Sequence, residues 1–383
     1  LSAEDISKTG TDDLLMQLQG SIPSLNVHLQ PISDAASMIR PANLRGLSAD
    51  STLITTNGKR RHHASVIAFQ GGGVNDGSQG ADISVIPAIA LKRVEVLRDG
   101  ASAQYGSDAI AGVINFVLDD ISEGGSLSYK MGEYTEGDGA TSTIAGKFGM
   151  PLGQDGFVTT SFQIRQADDT SRSLQRPDAA ALIAAGNTAV ANPAQIWGAP
   201  KIDDDVTFFM NAGVTNSDGS ESYMFGNYSE RDVDGGFYYR NPDGRSGVFT
   251  IGDYRAVGNV DGTCAYGTGA SGQVDPSNYV TRDAIMADPS CFLMNEIAPG
   301  GYTPRFVGTI TDTSFTTGRR GEITDGFLSG YSFDVSGSVG RNEADFGLNN
   351  TVNPSMGPDT PRNFTTGSYI ELEKTFNFDL QKQ

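Results

Sequence analysis

From residue 125 onward, apolar and polar residues alternate with a period of two, in one segment after another. Leu127, Tyr129 and Met131 are interleaved with Ser126, Ser128 and Lys130. Ile144, Phe148 and Met150 share one phase, and Thr143 and Lys147 hold the other. Val158, Thr160, Phe162 and Ile164 repeat the pattern, and Val206, Phe208, Met210, Ala212 and Val214 extend it. It is clearest where Tyr331, Phe333, Val335 and Val339 stand against Ser332, Asp334, Ser336 and Ser338. Ile370, Leu372, Phe376, Phe378 and Leu380 close the series. Successive side chains of a strand point to opposite faces, so each segment makes a ribbon with one apolar and one polar side. Apolar outward and polar inward over about 9–11 residues is the form in which a β-barrel strand crosses a membrane.

The connections fit that form. Leu152-Gly153-Gln154-Asp155-Gly156 and Asn216-Ser217-Asp218-Gly219 are short turns suited to the periplasmic side. Long segments, near 168–204, 232–304 and 346–363, suit extracellular loops. The first holds an Ala-rich stretch, Asp178 to Ala191, with the composition of a helix. The second holds the only two cysteines, Cys264 and Cys291, in an irregular stretch with no core of its own. Paired in an oxidising compartment they would contribute about 3 kcal/mol; the other reading is two unrelated thiols.

Composition narrows the function classes. Hydrophobic residues reach only 38%, while Gly numbers 48, as in an all-β chain with many turns. Acidic residues outnumber basic ones 46 to 27, a net charge of −19, and no basic stripe exists for a phosphate backbone, so no nucleic-acid partner is expected. No apolar run reaches the roughly 20 residues of a membrane helix, a test that barrel strands escape. Three histidines and no G-x-S-x-G, zinc or phosphate-loop pattern leave an enzyme without its parts. Asp203-Asp204-Asp205 reads as a solvated turn, and neither a metal site nor a cofactor is expected.

Residues 1–121 read differently, as a small α+β domain. Ser2 and Asp5 form a weak capping box leading into a short helix through Ile6. Thr11-Asp12-Asp13 starts a second helix with Leu14, Leu15 and Leu18 on one face. A strand, Thr52 to Thr55, ends at the Asn57-Gly58 turn, and a Gly-rich loop follows at Gln70 to Gly73. Lys92 to Arg98 is extended, Ala101 to Tyr105 is a short helix, and Gly112 to Leu118 is another strand.

Three collinear blocks carry a resemblance. They are Leu44-Arg45-Gly46, then Thr52-Leu53 through Asn57-Gly58-Lys59-Arg60, and then Arg93 through Asp99-Gly100, Gln104-Tyr105-Gly106 and Ala111-Gly112 to Asn115. Together they resemble the plug of TonB-dependent outer-membrane receptors. The resemblance implies a plug at 1–121 followed, at 122–383, by antiparallel transmembrane β-barrel strands. About eight strands can be counted, against about 22 in plugged transporters, and eight alone would leave no room for a plug. The chain also ends at Leu380-Gln381-Lys382-Gln383 without a terminal aromatic residue. An incomplete barrel is therefore expected.

The same resemblance implies energy-coupled import of a scarce nutrient, such as an iron chelate, cobalamin or a carbohydrate. Its partners would be outer-membrane lipid, a small-molecule or oligosaccharide ligand, and a TonB-type energy-transducing inner-membrane protein. That protein would pull a segment expected before Leu1. Ligand contact is expected at the apical loops of the plug, around His62, His63, Phe69, Gln70, Asn75 and Asp76. As neighbours in an extended chain, the two histidines face opposite ways and are poorly placed to share a metal. The charges of Arg93, Glu95 and Arg98 are expected to face the barrel wall. The rival reading is a secreted or surface all-β adhesion or ligand-binding module.

Overall fold

Helix α1 (Leu14–Ser21) begins where it does because the Asp13 carboxylate caps it, accepting from the backbone N–H of Leu15 and Met16 at 3.0 and 3.2 Å. The computed structural model describes residues 1–2, 5–6, 11, 13–27, 38–68, 73–266 and 274–382. Before α1, the Ser2 hydroxyl and Asp5 carboxylate accept from each other's backbone N–H at 3.2 Å, the capping box expected there. Strands β1 (Leu25–Val27) and β2 (Ala42–Leu44) pair antiparallel.

Four strands form the centre of this first unit. They are β3 (Thr52–Thr56), β4 (Lys59–Arg60), β5 (Leu91–Leu97) and β6 (Gly112–Leu118), in the order β4-β3-β6-β5. The β3–β4 hairpin turns on Asn57 and Gly58, both at positive φ, as a two-residue turn of this hand requires. Between β5 and β6 lies α2 (Ser102–Tyr105). Gly112 has φ +147°, and a Cβ there would sit 2.2 Å from the Leu97 carbonyl oxygen, so the antiparallel β5–β6 contact closes only around glycine. Leu15, Leu18, Leu44, Ile83, Leu91, Val94, Ile114 and Phe116 form a dry core, each 1% exposed or less. Val113 is also buried, and Val96 packs partly against the core.

Everything after this unit hangs on one large sheet. Its members are β7 (Gly125–Gly132), β8 (Thr141–Leu152), β9 (Gly156–Ala167), β10 (Lys201–Thr215) and β11 (Glu221–Gly235), with α3 (Pro177–Ala184) in the loop before β10. The loop after β11 carries β12 (Thr250–Ile251), β13 (Tyr254–Arg255), β14 (Gly258–Asn259), α4 (Tyr279–Met286) and β15 (Cys291–Phe292). Three strands follow: β16 (Arg305–Ile323), β17 (Tyr331–Asn349) and β18 (Phe364–Lys382). Sequential antiparallel pairing gives the order β18-β17-β16-β11-β10-β9-β8-β7. The sheet stays open, with β7 and β18 as its edges, so it is part of a barrel rather than a closed one. Helix α3 is shorter than its Ala-rich stretch because the chain turns at Gly186, at φ +92°.

Side-chain parity across this sheet is uniform. Phe162, Phe208 and Tyr228 are cross-strand neighbours on the outer face, as are Ile164 and Val206. Phe315 and Val339 continue it, and Leu127 is 75% exposed. The inner face is largely polar and covered: Asn227, Ser229, Arg231, Asp312, Thr316, Ser336 and Asn342 are all buried. Apolar outside and polar inside reverses the usual soluble arrangement and suits strands bathed in lipid.

Candidate functional site

The inner face and the first unit meet through charges that water does not reach. Asp312 projects inward from β16, and its side chain is 2% exposed. No single strand could supply the four side chains that surround it; three elements do. From the segment after β4, the Arg61 guanidinium donates to Oδ1 at 2.6 Å, and the His62 Nε2 lies 2.9 Å from Oδ2. From β11, the Asn227 amide donates to Oδ1 at 2.9 Å. From β17, the Asn342 amide donates to Oδ2 at 3.0 Å. Asn342 in turn accepts from the Ser65 N–H at 2.8 Å and the Ser65 hydroxyl at 2.9 Å. A carboxylate this deeply buried is tolerable only when its oxygens are filled by charged and amide donors.

Glycine sets the approach distance. Gly340 on β17 faces His62, and a Cβ there would lie 2.2 Å from the imidazole Nδ1 and 2.6 Å from the His62 Cβ. The clash involves the stem of the side chain, so rotating the ring does not remove it. Only a bare backbone at position 340 lets His62 reach Asp312.

Three further contacts flank this centre. His63 turns to β18, where the Glu373 carboxylate accepts from its backbone N–H at 2.8 Å and meets its Nδ1 at 2.5 Å. The bond to Glu373 holds the imidazole above its ordinary pKa, against partial burial; Asp108 adds to the rise and Arg60 opposes it. Arg231 of β11 reaches in to Asp82 at 3.2 Å and to the Met38 carbonyl at 2.6 Å. The Lys59 ammonium sits 3.0 Å from Asp334 of β17 and 3.5 Å from Asp379 of β18. Apolar contact accompanies these pairs: Phe209 and Phe225 join the core of the first unit, while Met38, Ile39, Ala64 and Val66 pack on Val233, Ile310, Ala344 and Phe346.

The expected ligand residues are therefore dispersed. His62, 5% exposed, is taken up by the wall and does not face an open loop in this conformation. His63 goes to a different strand from His62, because consecutive residues of an extended chain diverge. Asn75 is 1% exposed; its Oδ1 accepts from the Ala49 N–H at 3.0 Å and from the Asn43 amide, which ties two loops together. Asp76 alone of the described set is exposed beside it. Phe69 and Gln70 lie outside the described residues.

The expected wall charges lie on β5 and directly after it. Arg93 and Glu95 are exposed on β5 and pair with each other at 2.7 Å; Glu95 accepts a second bond from Asn115 at 2.9 Å. Arg93 nonetheless lines a cleft of about 340 Å³ facing Phe157, Asn211, Glu221 and Arg320 of the sheet. Arg98 is exposed. Buried contacts to the described strands come from Arg61, His62 and Asp82, which the sequence marked as loop or left unremarked. A run of Lys-Arg-Arg-His-His directly after a hairpin was the available signal, since so many cations in an acidic chain need carboxylates. Cys264 and Cys291 are joined, their Cα atoms 5.0 Å apart, within the long loop after β11. No cluster of three or more His, Cys, Asp or Glu side chains is placed to hold a metal ion among the described residues.

Comparison with known proteins agrees with this geometry. Residues 1–113 match the family model of the TonB-dependent receptor plug domain. The ferric enterobactin receptor of Pseudomonas aeruginosa is 32% identical over 117 residues, which is 30% of this chain and 15% of that protein. A probable TonB-dependent siderophore receptor, PirA of Acinetobacter baumannii, is 28% identical over 117 residues, again 30% of this chain and 15% of that one. The crystal structure of a ferric enterobactin receptor mutant from Pseudomonas aeruginosa, in complex with enterobactin, superposes with a TM-score of 0.56 at 16% identity, over 99% of this chain and 45% of that one. PirA of Acinetobacter baumannii gives 0.54 at 16% identity, over 99% and 44%. The chain thus spans under half the length of these receptors, and the structural likeness establishes the fold.

Proposed function

Taking as premise that residues 1–113 are a TonB-dependent receptor plug and that the strands after it are the opening part of its outer-membrane barrel, we propose that the complete protein imports a ferric siderophore. The observation that carries this reading is the Asp312 centre. A plug meant only to seal a pore would be welded by apolar contact. Here the central joint is a set of hydrogen bonds and ion pairs, which can be exchanged for water one at a time as the plug moves. Force applied at the N-terminal side by a TonB-type inner-membrane partner would unseat the plug from the wall, and the chelate would pass. The plug's likeness to ferric enterobactin and siderophore receptors supports an iron chelate over cobalamin or a carbohydrate.

Cysteines at Ser65 and Asn342, which are in hydrogen-bond contact across the plug–wall joint, test the reading in the complete receptor. With the cross-link formed, cells should still bind ferric enterobactin but fail to import it, and a reductant should restore import. Import that persists through the cross-link, or that continues without the inner-membrane energy source, would overturn the mechanism.

A further inference from the structure

Asp203-Asp204-Asp205, which in the sequence reads as a solvated turn, lies instead on β10, and a bulge divides it. Ile202 pairs with Val233 and Ala167, and the register resumes at Asp205, opposite Arg231 and Arg165. The extra residue leaves Asp203 and Asp204 exposed and turns Asp205 inward, where it is 4% exposed. Arg165, Asp205 and Arg231 therefore form one rung across β9, β10 and β11. The rung stands on the loop-bearing side of Asp312, which pairs with Ser229 of β11.

The plug brings Asp13 and Arg40 to this rung, and the five charged side chains line a cavity of about 40 Å³. Asp13 is fully engaged, capping α1 with Oδ1 and holding Arg40 with Oδ2. Arg231 is held by Asp82, which stands outside the cavity lining. Asp205 accepts only from the Thr207 hydroxyl, at 3.5 Å, and Arg165 makes no hydrogen bond or ion pair among the described residues. Four buried nitrogens around the cavity have no acceptor: Nε and Nη2 of Arg40, Nε of Arg165 and Nε of Arg231. No buried side-chain acceptor on its lining lacks a donor among the described residues. A guanidinium can only donate, so whatever satisfies these groups must accept from several sides at once.

We propose that this cavity binds a small inorganic anion of chloride size, clamped between Arg40 of the plug and Arg165 and Arg231 of the wall. Charge and donor count both point that way. Three guanidinium groups face two carboxylates across the lining, which leaves one positive charge for the guest to neutralise. Water accepts but must also donate, and Asp205 is the one lining carboxylate short of donors; an anion accepts from every side. A water needs roughly 10–15 Å³ of such space, so the cavity takes a monatomic anion with a water beside it and excludes a chelate. Because plug and wall both supply donors, the anion binds only the seated plug and stabilises that state by mass action.

The test uses the complete receptor without any chelate, so it stands apart from the import reading. Crystals soaked in bromide should show an anomalous peak within hydrogen-bond distance of Arg40 and Arg165. In solution, the urea midpoint for plug release should rise with chloride concentration, compared with gluconate at equal ionic strength, because gluconate is too large for the cavity. Arg165→Gln breaks no ion pair and should weaken the chloride effect about tenfold. Asp205→Asn removes the unpaired carboxylate and should shift the chloride response to lower concentration. Ordered water with no bromide peak overturns the proposal, and a peak without a chloride effect in solution marks an adventitious ion only. If Arg165→Gln fails to fold, Asp205→Asn decides alone: a chloride response that is unchanged or weaker overturns the site.

Discussion

The plug and the sheet around it are built from the same unit, an alternating strand, and they turn it in opposite directions. In the plug, Leu91, Val94, Ile114 and Phe116 face one another and exclude water, as in any soluble domain. In the sheet, Phe162, Phe208 and Phe315 face outward, and Asn227, Asp312 and Asn342 are the buried ones. The difference shows that alternation specifies two faces but not which of them is buried. The neighbouring medium decides that, lipid for one unit and protein for the other. The seam between them is where polar residues of both units are buried together.

The sharpest way to break the comparison is at the seam. Asp312→Ala leaves Arg61 buried without its carboxylate and should destabilise the seated plug by about 3–5 kcal/mol. Urea unfolding of the plug inside the intact barrel would register this as an early separate transition. Replacing Asp312 and Arg61 together by apolar residues of similar volume should recover much of the loss; if it does not, the pair does more than neutralise itself.

On the outer face, Phe208→Arg should cost about 2–4 kcal/mol if the position lies near the bilayer midplane, and less toward either interface. Folding into vesicles reports it, and the plug should be unaffected. A similar loss in the plug's own stability would mean that the two units are not energetically separate.

Gly340→Ala presses a methyl group against the His62 stem, and overpacking of this kind costs about 1–3 kcal/mol. Combining it with His62→Ala, which removes the clash, should give less than the sum of the two single effects. Strict additivity would place the strain elsewhere.

The smallest effect is a pH dependence. Folding raises the His63 pKa, so its contact with Glu373 stabilises fully below the unfolded imidazole value of 6.5 and is lost as pH rises through the elevated folded value. Plug release should therefore become easier on the alkaline side of neutrality, with Asp108 and Arg60 the other charged groups facing the ring. Labelling of a plug cysteine across a pH series measures it, and His63→Gln should flatten the profile.

Much of the fold was legible because it depends on local rules. The capping carboxylate of Asp13, the Asn57-Gly58 turn and the outward apolar rows of β7 to β10, β17 and β18 all act over a few residues. Strands β11 and β16 were harder to see, because Thr311, Thr313 and Thr317 occupy outward positions of β16 and dilute its contrast. The site was legible only in part. His62 and His63 stood out as functional candidates, but their partners Asp312 and Glu373 lie 250 and 310 residues away. Nothing local distinguishes those carboxylates from other inward-facing acids of the same strands.

By itself the sequence determined the kind of molecule: a small mixed domain closed by glycine turns, followed by strands fit for lipid on one side. It did so because side-chain periodicity and turn chemistry are properties of short stretches. Only the tertiary structure decided which cation meets which carboxylate and that Gly340 must be bare. Register between distant strands sets each of these, and register is fixed by the packing of the whole sheet rather than by any segment of it.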